Sequence, residues 1–199
     1  DMPEFNDYSV LYEIQKEFIN ADTLEHIYKI ILFSIMGQIG VSSASILGRA
    51  DDKEKWAILD SDGIEFDGEV RYWDPQNGIL SLLDNFRGLL DIEDLKNDIN
   101  LRDDYYRFVS VDARLISPLV YANDLIGAVL VGEKIDSAEF TPSDTEFIMA
   151  LTEMASRAIE ILLKYEELHV ELLGLRIEKE IAWDVEIMQN MIIECNSRK

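Results

Sequence analysis

Along the C-terminal third of the chain, apolar residues recur at a spacing that a helix satisfies, and the remaining pattern is read outward from there. Phe140-Thr141-Pro142-Ser143-Asp144 carries the chemistry of a helix start. Thr141 or Ser143 offers an N-cap hydroxyl, Pro142 suits a first turn, and Asp144 and Glu146 complement the helix dipole. No proline follows, and Gly174 is the one later glycine. A continuous helix to about residue 193 would run roughly 75 Å, more than one domain can cover. Leu151, Ala158, Tyr165 and Leu172 recur every seven residues, with Met154, Ile161, Leu168 and Leu175 interleaved. This is the a/d repeat of a coiled coil, and these eight residues are the expected dimer interface. Phe147, Ile148, Ala155, Ile159, Leu162 and Leu163 widen the apolar face of the first half, as packing on the chain's own core requires. Beyond Gly174 the phase changes: Lys179 and Glu186 occupy former a positions, while Ile177, Ile181, Val185 and Met188 form a new stripe.

Earlier in the chain, Val10, Leu11, Ile14, Phe18 and Ile19 predict a helix over 7–20, and Asp22 or Thr23 caps a second one that ends near Gly37 and Gly40. Residues 43–49 and 55–60 read as strands joined by a turn at 50–53, with Ser61-Asp62-Gly63 as the next turn. A short edge strand is expected over 64–72, a loop over 74–78 and a helix over 78–86. Residues 91–99 read as a helix or an acidic loop, and 105–109 as a strand. Two strands, 113–121 and 125–134, flank the hairpin signal Ala122-Asn123-Asp124. The expected fold class is α+β: an antiparallel sheet with helices bundled on one face, plus a long C-terminal coiled-coil helix.

Composition narrows the partners. The 199 residues are 48% hydrophobic, enough for a core, and carry a formal net charge of -22. That charge opposes binding to nucleic acid and to anionic membrane surfaces. Cys195 is alone, which excludes an intramolecular disulfide and suits a reducing compartment. No apolar run approaches the length of a membrane span, and no signal peptide is visible. The chain begins at Asp1 and ends in a partly apolar helix. It is expected to be a cytoplasmic fragment of a longer protein.

The order of elements and the word SPLVYANDLIGAVLVG at 117–132 together resemble a GAF domain over residues 8–163. The resemblance implies a sensory domain over 1–163, homodimeric through its terminal helices and holding a small molecule or nothing between sheet and crossover. Residues 164–199 would then be a coiled-coil linker to an output domain in the same chain. The cyclic-nucleotide-binding subset carries an Asn-Lys, a Phe and an Asp-Glu. Lys134, Phe140 and Asp144 match that pattern, whereas Glu133 and Thr145 depart from it. A lysine–aspartate pair there can lock strand to helix without a ligand, so cyclic-nucleotide binding is a minority alternative. Bilin attachment is not expected, because 43–132 holds no cysteine. The word EIAWDVEIMQNMII at 180–193 resembles the helix leading into PPM-type serine/threonine phosphatases of the stress and sporulation class. Glu186, Ile187, Gln189, Met191 and Ile192 carry the match; Met188 departs from it, and Ile193 stands where a proline is usual. Linkers to histidine kinases or nucleotide cyclases read much the same.

Catalytic chemistry is not apparent in these residues. His26 and His169 have no companions at metal-ligand spacing, and no phosphate loop, calcium loop or nucleophile elbow occurs. No catalytic residue, metal ligand or cofactor is expected, beyond an unidentified small molecule. Its candidate site residues are Trp56, Trp73, Phe86, Tyr106, Phe108 and Arg114, drawn from the aromatic and polar residues near the crossover. Plain core for the aromatics and an ion pair for Arg114 are the competing readings. A ligand-free dimerisation scaffold is the alternative function, favoured if Trp56 and Phe108 pack solid.

Overall fold

The computed structural model describes the backbone of residues 4–50, 55–64 and 71–197, and side chains over 9–50, 55–64, 71–177 and at 179. Two helices come first, α1 (Glu4–Asn20) and α2 (Leu24–Ile39). Thr23 starts α2 by accepting the His26 N–H on Oγ1 at 3.2 Å, and Gly40 ends it at φ 74, its N–H on Met36 O. That left-handed cap is a glycine conformation. Strands β1 (Ala44–Arg49) and β2 (Trp56–Asp62) follow. The crossover holds α3 (Gly78–Phe86), the short β3 (Leu90–Asp91), a 3-10 turn (Ile92–Leu95) and α4 (Arg102–Val109). The hairpin β4 (Leu115–Tyr121) and β5 (Asp124–Val131) leads to α5 (Pro142–Ser197).

Among the described residues five strands pair antiparallel, in the order β2-β1-β5-β4-β3. Alternation along the strands sends Leu47, Ile116, Ala128 and Leu130 to one face, where they pack with Ile79, Leu80 and Leu83 of α3 and Phe108 of α4. On the opposite face Ser117 meets Thr152 of α5 at 2.8 Å. Asp60, the ladder partner of Ile46, binds Lys29 of α2 there at 2.8 Å. The terminal helices thus gather on one face, as their apolar stripes predict, and the crossover covers the other. β1 is buried along all but its last residue because both of its faces are covered. Each fully buried aliphatic side chain here contributes about 1.5–3 kcal/mol.

Three expectations change. Residues 105–109 lie in α4 rather than a strand, since Tyr105 and Phe108 are buried while Tyr106, Arg107 and Val109 are exposed. That is the period of a helix, and Asp103 and Asp104 suit its first turn. Within 91–99, Asp91 ends β3 and caps the 3-10 turn through Glu93 N, so neither a full helix nor a bare loop forms. β2 continues through Ser61 and Asp62, which pair with Ser45 and Ala44. The turn at 50–53 and the edge strand at 64–72 lie largely outside the described residues; Trp73, just beyond, bridges to Trp56.

The chain divides into two units, Asp1–Glu160 and Ile161–Lys199. α5 is helical through Gly174, where an added Cβ would meet no heavy atom within 4 Å. Among the described residues no helix is long and apolar enough to cross a membrane.

Tyr121 pairs with Asp124, leaving Ala122 (φ 47) and Asn123 (φ 73) as a two-residue loop with both residues left-handed. This is the hairpin turn that matches strand twist, and alanine is a poor residue for its first position. Ala122→Gly should therefore raise stability by about 0.5–1 kcal/mol, read as a higher urea midpoint at unchanged slope. A lower midpoint would contradict the left-handed turn.

Candidate functional site

The crossover face is filled by its own side chains. Trp56 and Trp73 are tied backbone to backbone, each N–H donating to the other's carbonyl at 2.8 Å. Trp73 (1% exposed) and Phe108 (0%) stack at 5.5 Å between ring centroids, tilted by 37°. Ile79, Leu80 and Leu83 complete the cluster, together with Trp56. The structure thus brings three of the six candidate residues, Trp56, Trp73 and Phe108, into one packed core. Among the described residues, the buried Trp73 Nε1 and Ser45 Oγ have no hydrogen-bond partner, and Asp84 Oδ1 of α3 is met only by the Arg87 ion pair. An orphaned buried donor of this kind costs about 1–3 kcal/mol.

The crossover helices are joined by a carboxylate. Asn77 makes no side-chain cap for α3, and Asp104 of α4 accepts the Ile79 N–H instead, at 2.7 Å. Gly78, at φ 63, permits the approach: a Cβ there would stand 2.2 Å from Asp104 Oδ2. Burial pushes the Asp104 carboxyl above its ordinary value against the opposing Ile79 bond.

The other three candidates lie apart from that core. Arg114 donates Nε and a terminal NH2 to the two oxygens of Asp91, both at 2.8 Å, and reaches Glu133 at 3.3 Å. Its guanidinium is held charged chiefly by the Asp91 hydrogen bonds, which outweigh burial. This bidentate pair fills the fork that an anionic ligand would need. Phe86 is 60% exposed and borders a hollow of about 410 Å³ with Arg114, Leu89 and Phe140. Tyr106 is 57% exposed on α4, edge-on to Tyr105 at 5.4 Å. The six residues therefore do not line one cavity.

Contacts at α5 are more sharply defined. Thr141 and Asp144 cap its start reciprocally: the Asp144 N–H donates to Thr141 Oγ1 at 3.2 Å, and the Thr141 N–H to Asp144 Oδ2 at 2.8 Å. Lys134, following β5, donates to the same carboxylate at 2.8 Å and lies 5.9 Å from the Phe140 ring centroid. Farther along, the hydroxyls of Thr152 and Ser156 meet Ser117 and Val120 of β4. These two residues were not singled out in the sequence, although hydroxyls on an otherwise apolar helix face were its available signal.

The seam positions divide. Leu151 is fully buried in this chain's own core, so it is not part of an exposed stripe; Met154 and Ala158 are half-buried. In the second unit Ile161 (71%), Tyr165 (67%), Leu168 (59%), Leu172 (64%) and Leu175 (56%) are exposed.

No family model matches the chain, and no curated protein matches it in sequence. Solved structures do match in shape. The GAF domain of a phosphoenolpyruvate-protein phosphotransferase from Coxiella burnetii aligns with a TM-score of 0.63 at 15% identity, over 83% of this chain and 99% of that one. The fold is that of a GAF domain. A GAF domain/HD domain protein from Geobacter sulfurreducens aligns at TM-score 0.59 and 16% identity, over 73% of this chain and 97% of the other. The blue-light absorbing form of the PixJ GAF domain from Thermosynechococcus elongatus aligns at 0.56 and 12%, over 83% and 96%. On this GAF fold, α3, α4 and the 3-10 turn form the crossover that packs against one face of the sheet.

Burial alone would raise the Asp144 carboxyl, but the Lys134 and Thr141 bonds outweigh it and hold it below its ordinary value. A depressed folded value makes this contribution complete above the unfolded value, and it is lost as pH falls through the folded one. Lys134→Met should cost about 2–4 kcal/mol at neutral pH, because it leaves Asp144 charged, enclosed and unpaired. The deficit should shrink in urea titrations carried into the range where Asp144 protonates. An equal deficit in neutral and acid conditions would assign the loss to packing of the lysine stem.

Proposed function

We propose that the chain is a regulatory module of a signalling protein, homodimeric through α5, which relays a change in the GAF-fold unit to an output domain. One observation carries this reading. Five apolar residues at coiled-coil spacing, Ile161, Tyr165, Leu168, Leu172 and Leu175, are exposed in the single chain. Such a stripe on an isolated helix is an association surface. The resemblance of 180–193 to a phosphatase lead-in helix supports a PPM-type serine/threonine phosphatase as the output, in a bacterial cytoplasm. The fold's occurrence in a phosphotransferase and in an HD-domain protein supports a regulatory rather than catalytic part for this unit.

Sedimentation of the chain tests association directly. Wild type should be a dimer, and Leu168→Glu/Leu172→Glu should dissociate at least about 100-fold more readily by burying charge in the seam. Its GAF-fold unit should melt unchanged. A monomeric wild type would sink the proposal.

The unpaired Trp73 Nε1 and Ser45 Oγ favour a second reading, a sensor whose crossover opens around a small polar molecule. Native mass spectrometry of the purified chain should then show a reproducible added mass that is lost on denaturation. A bare mass would leave the dimerisation scaffold in place of the sensor, the reading that the solid packing of Trp56 and Phe108 favours.

A further inference from the structure

Each hydroxyl between α5 and β4 has a hydrogen-bond partner. The Val120 N–H donates to Ser156 Oγ at 3.1 Å, and the Ser156 hydroxyl donates to Thr152 O at 2.7 Å. Ser117 Oγ and Thr152 Oγ1 are 2.8 Å apart, and Thr152 Oγ1 lies 3.0 Å from Ile148 O and 3.1 Å from Met149 O. A hydroxyl has one proton to give. Thr152 reaches a carbonyl of its own helix, and with its proton placed there Ser117 donates between the two, the arrangement that gives both protons an acceptor. Two chains result, each running from the strand into the backbone of α5: Val120 to Ser156 to Thr152, and Ser117 to Thr152 to Ile148. Ser117, Thr152 and Ser156 are all buried, and the α5 face around the latter two is apolar: Ile148, Leu151, Ala155 and Ile159.

Neither helix hydroxyl needs the sheet, since a serine or threonine satisfies its own proton on a carbonyl one turn back. The strand is what needs them. β3 pairs with Leu115 and Ile116, so among the described residues β4 has no strand partner on that side beyond that point. Pro118 has no N–H to leave open there, and Ser156 takes the N–H of Val120. The β4–β5 turn beyond it is tied as well, Arg87 donating to Asn123 O at 2.8 Å. A groove of about 700 Å³, bordered by Arg87, Leu89, Pro118, Val120 and Ser156, opens the contact to the surface.

We propose that Thr152 and Ser156 form a register lock, fixing the rotation and axial position of α5 on β4, so that a change at the β4 edge reaches α5 through Val120. Apolar packing supplies adhesion but tolerates small readjustments, whereas these hydrogen bonds are met at one setting. Displacement of α5 by the rise of a single residue, about 1.5 Å, breaks both contacts with β4. Conversely, withdrawing Val120, or offering its N–H another acceptor in the groove, removes one of the two constraints on the helix. The lock is a feature of the GAF-fold unit; its bearing on signalling rests on the relay reading above.

Two measurements test it in the intact chain. Ser156→Ala removes the acceptor while improving helix propensity, so the helix itself should persist. Hydrogen exchange of the Val120 amide should then quicken at least tenfold, with the amides of the β4–β5 ladder unchanged. For register, spin labels at Glu153→Cys and Asp124→Cys in a Cys195→Ser background, diluted with unlabelled protein, report the seating of α5 on the hairpin. The parent should give one narrow distance distribution. Ser156→Ala and Ser156→Ala/Thr152→Val should broaden it or add a second component, and Ser156→Thr, which restores a hydroxyl, should keep it narrow. A narrow, unshifted distribution in the double variant would overturn the lock. A monomeric wild type in sedimentation would sink the relay and leave these distances as they are, so the two failures are distinguishable.

Discussion

The seating of α5 on the sheet is the interaction on which the rest of this structure depends. Ile148, Leu151, Ala155 and Ile159 give the helix a continuous buried stripe, and Thr152 on the same helix meets Ser117 of β4. Adhesion of this sort is strong but non-directional. Direction comes from polar contacts at two places, the Lys134–Asp144 pair at the first turn and the hydroxyls of Thr152 and Ser156. A helix held only by its apolar stripe could settle at neighbouring rotations with little change in buried area. One also pinned at its cap and at two points on a strand has a single setting.

Much of this was legible because the signals were local. Thr23 and Gly40 bound α2, and Thr141 to Asp144 start α5, by short-range capping chemistry that needs no tertiary context, whereas α3 takes its capping carboxylate from Asp104 of α4. The hairpin at Ala122-Asn123 was equally plain, its two loop residues set by the strand register on either side. What stayed hidden depended on distant partners. Tyr105 and Phe108 fit either a strand or a helix over five residues, and only burial against α3 and the 3-10 turn separates them. β3 is two residues long and exists because β4 offers it an edge.

The site was less legible for a related reason. Periodicity records that a residue is apolar at a given angle on a helix, but not which surface it meets. Leu151 therefore fitted the a/d seam as well as Leu172 did, yet it packs into its own core while Leu172 is exposed. Aromatic identity is similarly silent: Trp73 and Phe108 form solid core, and Phe86 and Tyr106 point to solvent. Arg114 was readable as an anion receptor or an ion pair, and its bidentate bond to Asp91 decides for the pair.

The distribution of satisfied and unsatisfied polar atoms bears on how such a unit could work. On the crossover face the buried Trp73 Nε1, within a tightly packed cluster, and Ser45 Oγ of β1 lack hydrogen-bond partners. That face is therefore under-satisfied, and a bound polar group or water would lower its free energy. At α5 the reverse holds, since Ser117, Thr152, Ser156 and the Val120 N–H complete one another. A unit arranged in this way has one face that gains from a change and another that resists it. β4 connects them, because Ile116 belongs to the crossover cluster while Ser117, the next residue, points to α5. A shift of that strand by about 1 Å would be absorbed by apolar contacts but would carry these hydrogen bonds beyond their working distance. In the relay proposed above, β4 carries movement from the crossover to the helix through its polar contacts, while the apolar stripe keeps the helix attached.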